Sequence, residues 1–568
     1  MYGAGRKTNS VVIYSFIFVL LLFADHVTIH AQIESGSSDT TLGRRAENVS
    51  NQNDFFEPKA VNDHFIEITK MPRPSGKEDP VREYIADYAR KNGIEIKLYK
   101  PDATEPGERV IVLYRPGTGE HKDKAPVVLQ AHLDMMCYPN DDIFPLKLFK
   151  YKDDQGVEWL KAGDLKGIND PAKGTTLGAD DGIGVATALA VLEDDKLKDY
   201  PIECLFTVQE ETGMDGAKDF DKNLLRGRRF INLDAGPEKV IIYGCAGGCV
   251  THYEGSVSYL DNMPDGYKAV SVSIYGLRSG HSGVDINKGR LNAIKVLTDA
   301  LIRLNGRITD VSSDVGDIGG FDILLCSMYR DEEAKNNAIP ARARVVIALP
   351  EEDAEGFENG LNVLFSALKT QNKEIEEGFS WDFSQEDNKA LPMDRRSTDA
   401  LLCILRQIPH GVIKMIPERS DLVETSTNLC EVKINGNKVI INSLDRSSSN
   451  QSMEALLDMH QNIGTCFDFS VSIEGDRFPA WQPNESSTLL SKAKKVYAGA
   501  YGDESEATVV HAGVECAWIA QRFDGEMDCI SIGPNTEGLH TGAERLQTST
   551  VKMFYDTLSN LLVSLFEE

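Results

Sequence analysis

Between Phe55 and Gly247, short apolar runs alternate with amphipathic stretches. Ala125–Leu133, Ile202–Val208 and Arg229–Leu233 predict buried strands, and Gly182–Glu193 predicts a helix. This alternation points to an α/β sheet with helices on both faces. From about Cys249 to Glu474 the texture changes. Two-residue alternation over Tyr267–Tyr275 and Ala341–Leu349 predicts strands, and Leu291–Leu304 and Glu352–Thr370 predict helices. That mixture reads as a separate α+β module. Gln385–Arg396 and Ser447–Ser449 read as loops. The first texture then returns, with strands at Glu506–Val510 and Cys529–Ile532 and helices at Gly513–Gln521 and Ser549–Phe566. In the last helix Leu558, Leu561, Leu562 and Leu565 share one face. The fold class expected is α/β with a central mixed sheet, interrupted by an inserted α+β domain. Residues 55–247 and 476–568 form the two parts of the interrupted domain, and 248–475 the insertion.

The N-terminus is a separate object. Arg6 and Lys7 precede the apolar run Val11–Ala24, and Ile29-His30-Ala31 ends in a small residue suited to cleavage. The run is shorter than the ~18 apolar residues of a membrane span. Residues 1–31 therefore predict a secretory signal peptide, and hence a secreted or other extracytoplasmic protein. An uncleaved signal that anchors the chain is the alternative. Residues 32–54 are polar and read as a flexible leader. Sequons at Asn48, Asn450 and Asn484 agree with secretion but arise often by chance.

The 568 residues suffice for several domains, and 41% hydrophobic against 26% charged residues describes a soluble globular chain. The formal net charge of −28 repels nucleic acid and anionic lipid, so neither is an expected partner. The ten cysteines are scattered without a CxxC pair, which excludes a small disulfide scaffold and a zinc finger.

Five segments place acids and histidines just beyond predicted strands. In Gln130-Ala131-His132-Leu133-Asp134, residues two apart face the same way, so Asp134 can fix the His132 tautomer. In Gly178-Ala179-Asp180-Asp181-Gly182-Ile183-Gly184, a helix N-cap explains one Asp but not the second acid or the glycines. Glu210 and Glu211 follow a buried strand, where paired acids need a cation nearby. One could ligate a metal while the other moves protons. Asp234 ends another strand, and His540 lies in the polar loop Gly538–Arg545. Each segment alone reads equally as a solvated turn. Together they gather at the carboxyl ends of strands, where open α/β sheets bind ligands. Two His with several carboxylates suit zinc or a similar divalent ion.

These segments, in this order, resemble the M20 metallopeptidases, and most closely their aminoacyl-histidine dipeptidase (Xaa-His dipeptidase, peptidase D) branch. The resemblance runs from about Phe55 to Glu568. It rests on AHLDMM at 131–136, TTLGADDGIG at 175–184, QEETGMDGA at 209–217 and GLRSGHSGVDINKGRLNA at 276–293. NNAIPARA at 336–343, FPAWQP at 478–483, HAGVECA at 511–517 and SIGPNTEGLHTGAERL at 531–546 complete it. The chain departs from the branch at Asp181, where Asn is common, and in HTGAER, where HSPxE is usual.

The resemblance implies a zinc-peptidase-like catalytic domain with an inserted lid domain. It implies two divalent ions, zinc first with cobalt or manganese as alternatives. Asp180 would bridge them, with His132 and Asp234 on one and Glu211 and His540 on the other. Glu210 would be the general base, Asp134 would orient His132, and His281 of the lid would stabilise the oxyanion. Arg290, Asn292 and His511 are candidate substrate contacts. The implied substrates are dipeptides, Xaa-His and other unblocked ones. Another M20 peptidase or aminoacylase activity would use the same core. A non-catalytic binding module would have lost ligands or base, and here every such position is filled. A homodimer through the lid is an assembly the resemblance allows. The branch is mostly cytosolic, so the signal-like N-terminus departs from it.

Overall fold

A computed structural model describes residues 54–307, 319–330, 337–386, 390–417 and 419–567. The expected signal peptide, the leader up to Asn53, the Asn48 sequon and Asn336 of NNAIPARA lie outside the described residues. Among the described residues no helix is long and apolar enough to cross a membrane.

The chain divides into two compact units. The first takes the chain up to Tyr243 together with Asn484–Thr508 and Val514 onward. The second takes Gly244–Pro483 and Val509–Gly513, so His511 belongs with it.

The first unit is built on an eight-stranded sheet. Its strands are β1 (Glu95–Leu98), β2 (Ile111–Arg115), β3 (Val127–His132), β4 (Ile202–Thr207), β5 (Arg229–Asn232), β6 (Val240–Cys245), β7 (Glu506–Val510) and β8 (Asp528–Ser531). Their order is β1-β2-β4-β3-β5-β8-β6-β7. The central pairs β4–β3, β3–β5 and β5–β8 are parallel, whereas β1–β2, β2–β4 and β8–β6 are antiparallel. The sheet is mixed, as expected. Strands β3 and β4 are buried along their whole length, which is why they read as unbroken apolar runs. Helix Ala179–Glu193 packs against β3 and is buried on nearly every side. Helix Thr548–Phe566 buries Leu558, Leu561, Leu562 and Leu565, the face its periodicity predicts. A smaller sheet of Leu148–Lys152, Glu158–Gly163, Gly174–Thr175, Thr536–Glu537 and Arg545–Gln547 holds the hairpin that carries His540.

The second unit is α+β. One antiparallel sheet runs in the order Gly411–Ile416, Arg419–Asn435, Lys438–Ser447, Gly247–Ser256, Ser470–Phe478. A second runs Leu324–Arg330, Ala343–Pro350, Tyr267–Tyr275, Ser380–Gln385. Helices Ala293–Leu304, Ala354–Gln371 and Arg395–Gln407 share one apolar core with both sheets through Leu297, Phe357, Leu401, Val272 and Ile441.

The central strands should tolerate no loss of volume. Phe206 on β4 is fully buried between the partners Ala131 and Ile111. Phe206→Ala should cost about 3–5 kcal/mol. Chemical denaturation checks this as a lowered midpoint for the first unit, and an unchanged midpoint would contradict it.

Candidate active site

Three parallel strands deliver their chemistry at the same edge of the first unit's sheet. His132 is the last residue of β3, Glu210 and Glu211 follow β4, and Asp234 follows β5. The neighbouring helix starts at Ala179, so Asp180 and Asp181 stand in its first turn, where their backbone angles are not yet helical. His540 arrives from the hairpin with a left-handed backbone (φ +62°).

Asp180 is the centre of the arrangement. Its Oδ1 lies 2.9 Å from His132 Nε2, and its Oδ2 lies 2.9 Å from His540 Nε2. On the His132 side, Asp234 Oδ2 is 3.7 Å from the same Nε2 and Glu210 Oε2 is 4.0 Å away. On the His540 side, Glu211 Oε2 is 2.8 Å from Nε2. Two donor sets thus share one carboxylate. His132, Asp180 and Glu211 alone bring ligand atoms within 4.8 Å of one another. Imidazole nitrogens and carboxylate oxygens in this mixture fit a divalent ion of the zinc type.

The electrostatics carry the same message. Burial opposes charging His132, but Asp234, Asp134, Asp180 and Glu210 outweigh it and hold its pKa well above the usual value. Burial likewise opposes charge on His540, and Glu211 and Asp180 push its pKa up. Burial raises Glu210, Glu211 and Asp234 above the ordinary carboxylate range, and neighbouring acids add to it. Such a cluster stays ionised only with cations among its oxygens.

Asp134 reaches His132 with two groups: its main-chain carbonyl lies 3.1 Å from Nδ1 and its carboxylate 3.5 Å from the same nitrogen. The carboxylate also accepts from Glu210 N (3.0 Å), Glu211 N (3.1 Å) and Ser75 Oγ (2.7 Å). One residue therefore positions both the ligand histidine and the two-glutamate turn. Asp181 accepts from His132 N at 3.2 Å and from Gly184 N at 3.1 Å, so it serves the backbone.

Two further acids lie in segments singled out in the sequence, Glu544 beside His540 and Glu515 in HAGVECA, where a structural or substrate-lining role is expected. Glu544, four residues after His540, accepts from Leu177 N and Ala179 N, each at 2.8 Å, and holds the Asp180 loop. Glu515 is fully buried, and its Oε2 accepts from Gln130 Nε2 (2.5 Å) and Thr207 Oγ1 (3.0 Å). Gln130 in turn accepts from Asn232 at 2.7 Å, and Asn232 accepts from Ser531. This chain crosses four strands two residues below His132 and Asp234. Its one sequence signal is a polar residue inside an apolar strand, which must find a partner.

The remaining predicted residues lie in the second unit. His281 Nδ1 accepts from Gly283 N (3.1 Å) and Val284 N (3.2 Å), and its Nε2 lies 3.5 Å from Arg446 Nη2. Burial, reinforced by Arg446, lowers its pKa to about 3, so the ring is neutral. His511 is also buried, with its pKa lowered to about 3, and its Nε2 is 2.7 Å from Ser426 Oγ. Arg290 is tied to Ser279 O (2.5 Å) and Asp285 (3.0 Å). Asn292 caps helix Ala293–Leu304 and donates to Leu429 O at 2.7 Å. Both of these side chains are engaged within their own unit.

The profile of peptidase family M20/M25/M40 matches residues 172–564. The chain belongs to that family. It is therefore an enzyme that hydrolyses peptide bonds. Among M20 relatives it is 30% identical over 515 residues to the cytosol non-specific dipeptidase of Escherichia coli, covering 89% of this chain and 98% of the relative. The crystal structure of aminoacylhistidine dipeptidase from Vibrio alginolyticus superposes with a TM-score of 0.76 at 29% identity, covering 90% of this chain and 98% of that one. Aminopeptidase PepT from Bacillus cereus, at 15% identity and a TM-score of 0.50, shares the fold. The family read from the motifs is the family found.

The buried Glu515 gives a pH signature. Burial pushes its carboxyl up to about 7. Between the unfolded value of ~4.3 and that folded value, the folded state holds a proton that the unfolded state has lost. Stability from this group is therefore lost as pH rises through that window. In chelator-treated protein, Glu515→Gln should flatten the fall in melting temperature between pH 5 and pH 7. Identical pH profiles for the two proteins would contradict it.

Proposed function

We propose that this M20 enzyme is a dipeptidase that works with two divalent metal ions and cleaves unblocked dipeptides, Xaa-His dipeptides among them. The observation that carries the reading is Asp180, with one oxygen 2.9 Å from each of two imidazoles and a further acid beside each. His132, Asp234 and Asp180 would hold one ion; Asp180, Glu211 and His540 would hold the other. Zinc suits the donor set best. Dipeptides are favoured because the Escherichia coli and Vibrio alginolyticus relatives, each matched over nearly its whole length, are named as dipeptidases.

Bound there, the two ions supply Lewis-acid polarisation of the scissile carbonyl and acidify the attacking water. The protein's residues do the rest. Asp134 fixes the His132 ring through its carbonyl and fixes the Glu210 backbone through its carboxylate. Glu210 sits beside the donors, and burial first, then neighbouring acids, raise its proton affinity. A carboxylate of raised pKa is a competent acceptor for the water proton and a competent donor to the departing amine. The amine leaves protonated, and the carboxylate is regenerated.

Glu210→Gln should leave metal content unchanged and lower kcat about 100–10,000-fold. Near-normal turnover in that variant would refute the base assignment. On the wild-type chain, a panel of carnosine, other Xaa-His dipeptides, tripeptides and N-acyl amino acids should show cleavage of the dipeptides. Preferential cleavage of tripeptides or N-acyl amino acids would refute the dipeptidase reading.

A further inference from the structure

The turn between helices Lys59–Ile68 and Asp79–Asn92 carries Arg73, Ser75 and Glu78 beneath the active site. Nothing in their spacing marks them as functional. Together their side chains reach three loops that bear a candidate ligand or base. Arg73 is 1% exposed. Its Nη1 donates to Leu133 O and to Asp134 O, each at 2.8 Å, and its Nη2 donates to Gly178 O. A single guanidinium therefore joins the segment after His132 to the segment before Asp180. Its main-chain carbonyl also accepts from Met135 N at 3.0 Å. Ser75 Oγ donates to Asp134 Oδ2 at 2.7 Å. Glu78, fully buried, accepts from Gln209 N at 3.2 Å and from Gly76 N at 2.7 Å, while Arg109 holds its other oxygen at 2.7 Å. Gln209 has a left-handed backbone (φ +57°), a costly conformation for a residue with a side chain, at the start of the Glu210–Glu211 turn.

The fit around Arg73 is close. A Cβ added at Gly178 would stand 2.5 Å from Arg73 Nη2, and one at Gly182 2.7 Å from it. Gly178 also has φ +67°. The glycines that flank the two aspartates are thus needed for the guanidinium as well as for the turn.

We propose that the Arg73–Glu78 turn is a positioning clamp, which sets the spacing of the loops carrying His132, Asp180 and Glu210–Glu211 and thereby the strength with which this site holds its metal. The clamp touches none of the reacting atoms. It acts through Asp134, Gly178 and Gln209. Ligand loops left to find their own spacing lose metal affinity and alignment while substrate contacts elsewhere are kept. The proposal rests on the reading of this centre as a divalent-metal site.

The test uses the full chain and three variants: Ser75→Ala, the conservative Ser75→Thr and Arg73→Lys. Zinc affinity is measured by competition with a chelator, and the melting temperature is measured on metal-stripped protein. Ser75→Ala should weaken zinc binding about 10-fold or more, lower kcat in parallel and leave KM within about two-fold. Its metal-stripped melting temperature should match wild type, and Ser75→Thr should restore affinity. Arg73→Lys keeps the charge but loses the fork that spans two loops, so it should weaken zinc binding at least as much. If that variant fails to fold, Ser75→Ala carries the test. Wild-type zinc affinity in Ser75→Ala would overturn the clamp while leaving the metal reading intact. So would a loss of stability in the metal-stripped variant that accounts for the whole effect. A wild-type chain that binds less than one equivalent of zinc would overturn the metal reading, and the clamp with it.

Discussion

The structure of the first unit turns on excess negative charge taken out of water. Asp134, Asp180, Asp181, Glu210, Glu211, Asp234 and Glu544 converge on one small volume, with two imidazoles and the Arg73 guanidinium among them. Buried carboxylates repel one another strongly, because the low dielectric that strengthens a salt bridge strengthens repulsion as well. The fold answers in two ways. Backbone N–H groups of Glu210, Glu211, Leu177, Ala179 and Gly184 point into Asp134, Glu544 and Asp181. These three acids thus have hydrogen-bond partners within the protein. Asp180, Glu211 and Asp234 are left to face the histidines, and their remaining charge calls for divalent cations.

A division of labour follows from that constraint. Asp134, Asp181 and Glu544 have both carboxylate oxygens filled by backbone N–H groups, whereas Asp180 has neither and Glu211 only its Oε1, which accepts from Met136 N at 3.2 Å. Asp180 and Asp181 are neighbours in sequence and fall on opposite sides of the division. Asp181 is spent on His132 N and Gly184 N, whereas Asp180 presents both oxygens to imidazoles. The strongly negative surface composition is a separate matter, since these few acids account for little of the net charge of −28.

The convergence of His132, Glu210, Glu211 and Asp234 was legible in the sequence because each follows a strand whose apolar run is unmistakable, whereas Asp180 and His540 were marked as ligands only by the family resemblance. His132 after Val127–Ala131, Glu210 and Glu211 after Ile202–Thr207, and Asp234 after Arg229–Asn232 are acids and a His where hydrophobicity stops. The parallel sheet then brings those ends together. Which atom does what was not legible. Spacing places Asp134 on the same side as His132, but cannot tell its carbonyl from its carboxylate. Arg73 escaped notice, and the contacts of Glu515 and Glu544 could not be read, for another reason. Their partners lie 60 to 385 residues away in the chain, and a polar side chain inside a loop or helix carries no sign of a distant contact. The second unit's texture announced α+β, but the long hairpin Arg419–Asn435 to Lys438–Ser447 was not assigned, because its middle is rich in buried Thr, Ser and Asn rather than apolar alternation.

His540 stands 360 residues after Asp180. At ~5–20 residues per second of protein synthesis, Asp180 leaves the ribosome roughly 20–70 s before its second imidazole exists. The strand that completes the parallel part of the sheet, β8, is made in the same late stretch. A nascent chain therefore carries its acids without the second histidine that faces Asp180. On the proposed reading of the site, competence to cut peptide bonds would arrive only with the loop that carries His540, after nearly the whole polypeptide has been made. For an enzyme that degrades peptides, that order of manufacture is a delay built into the connectivity of the fold.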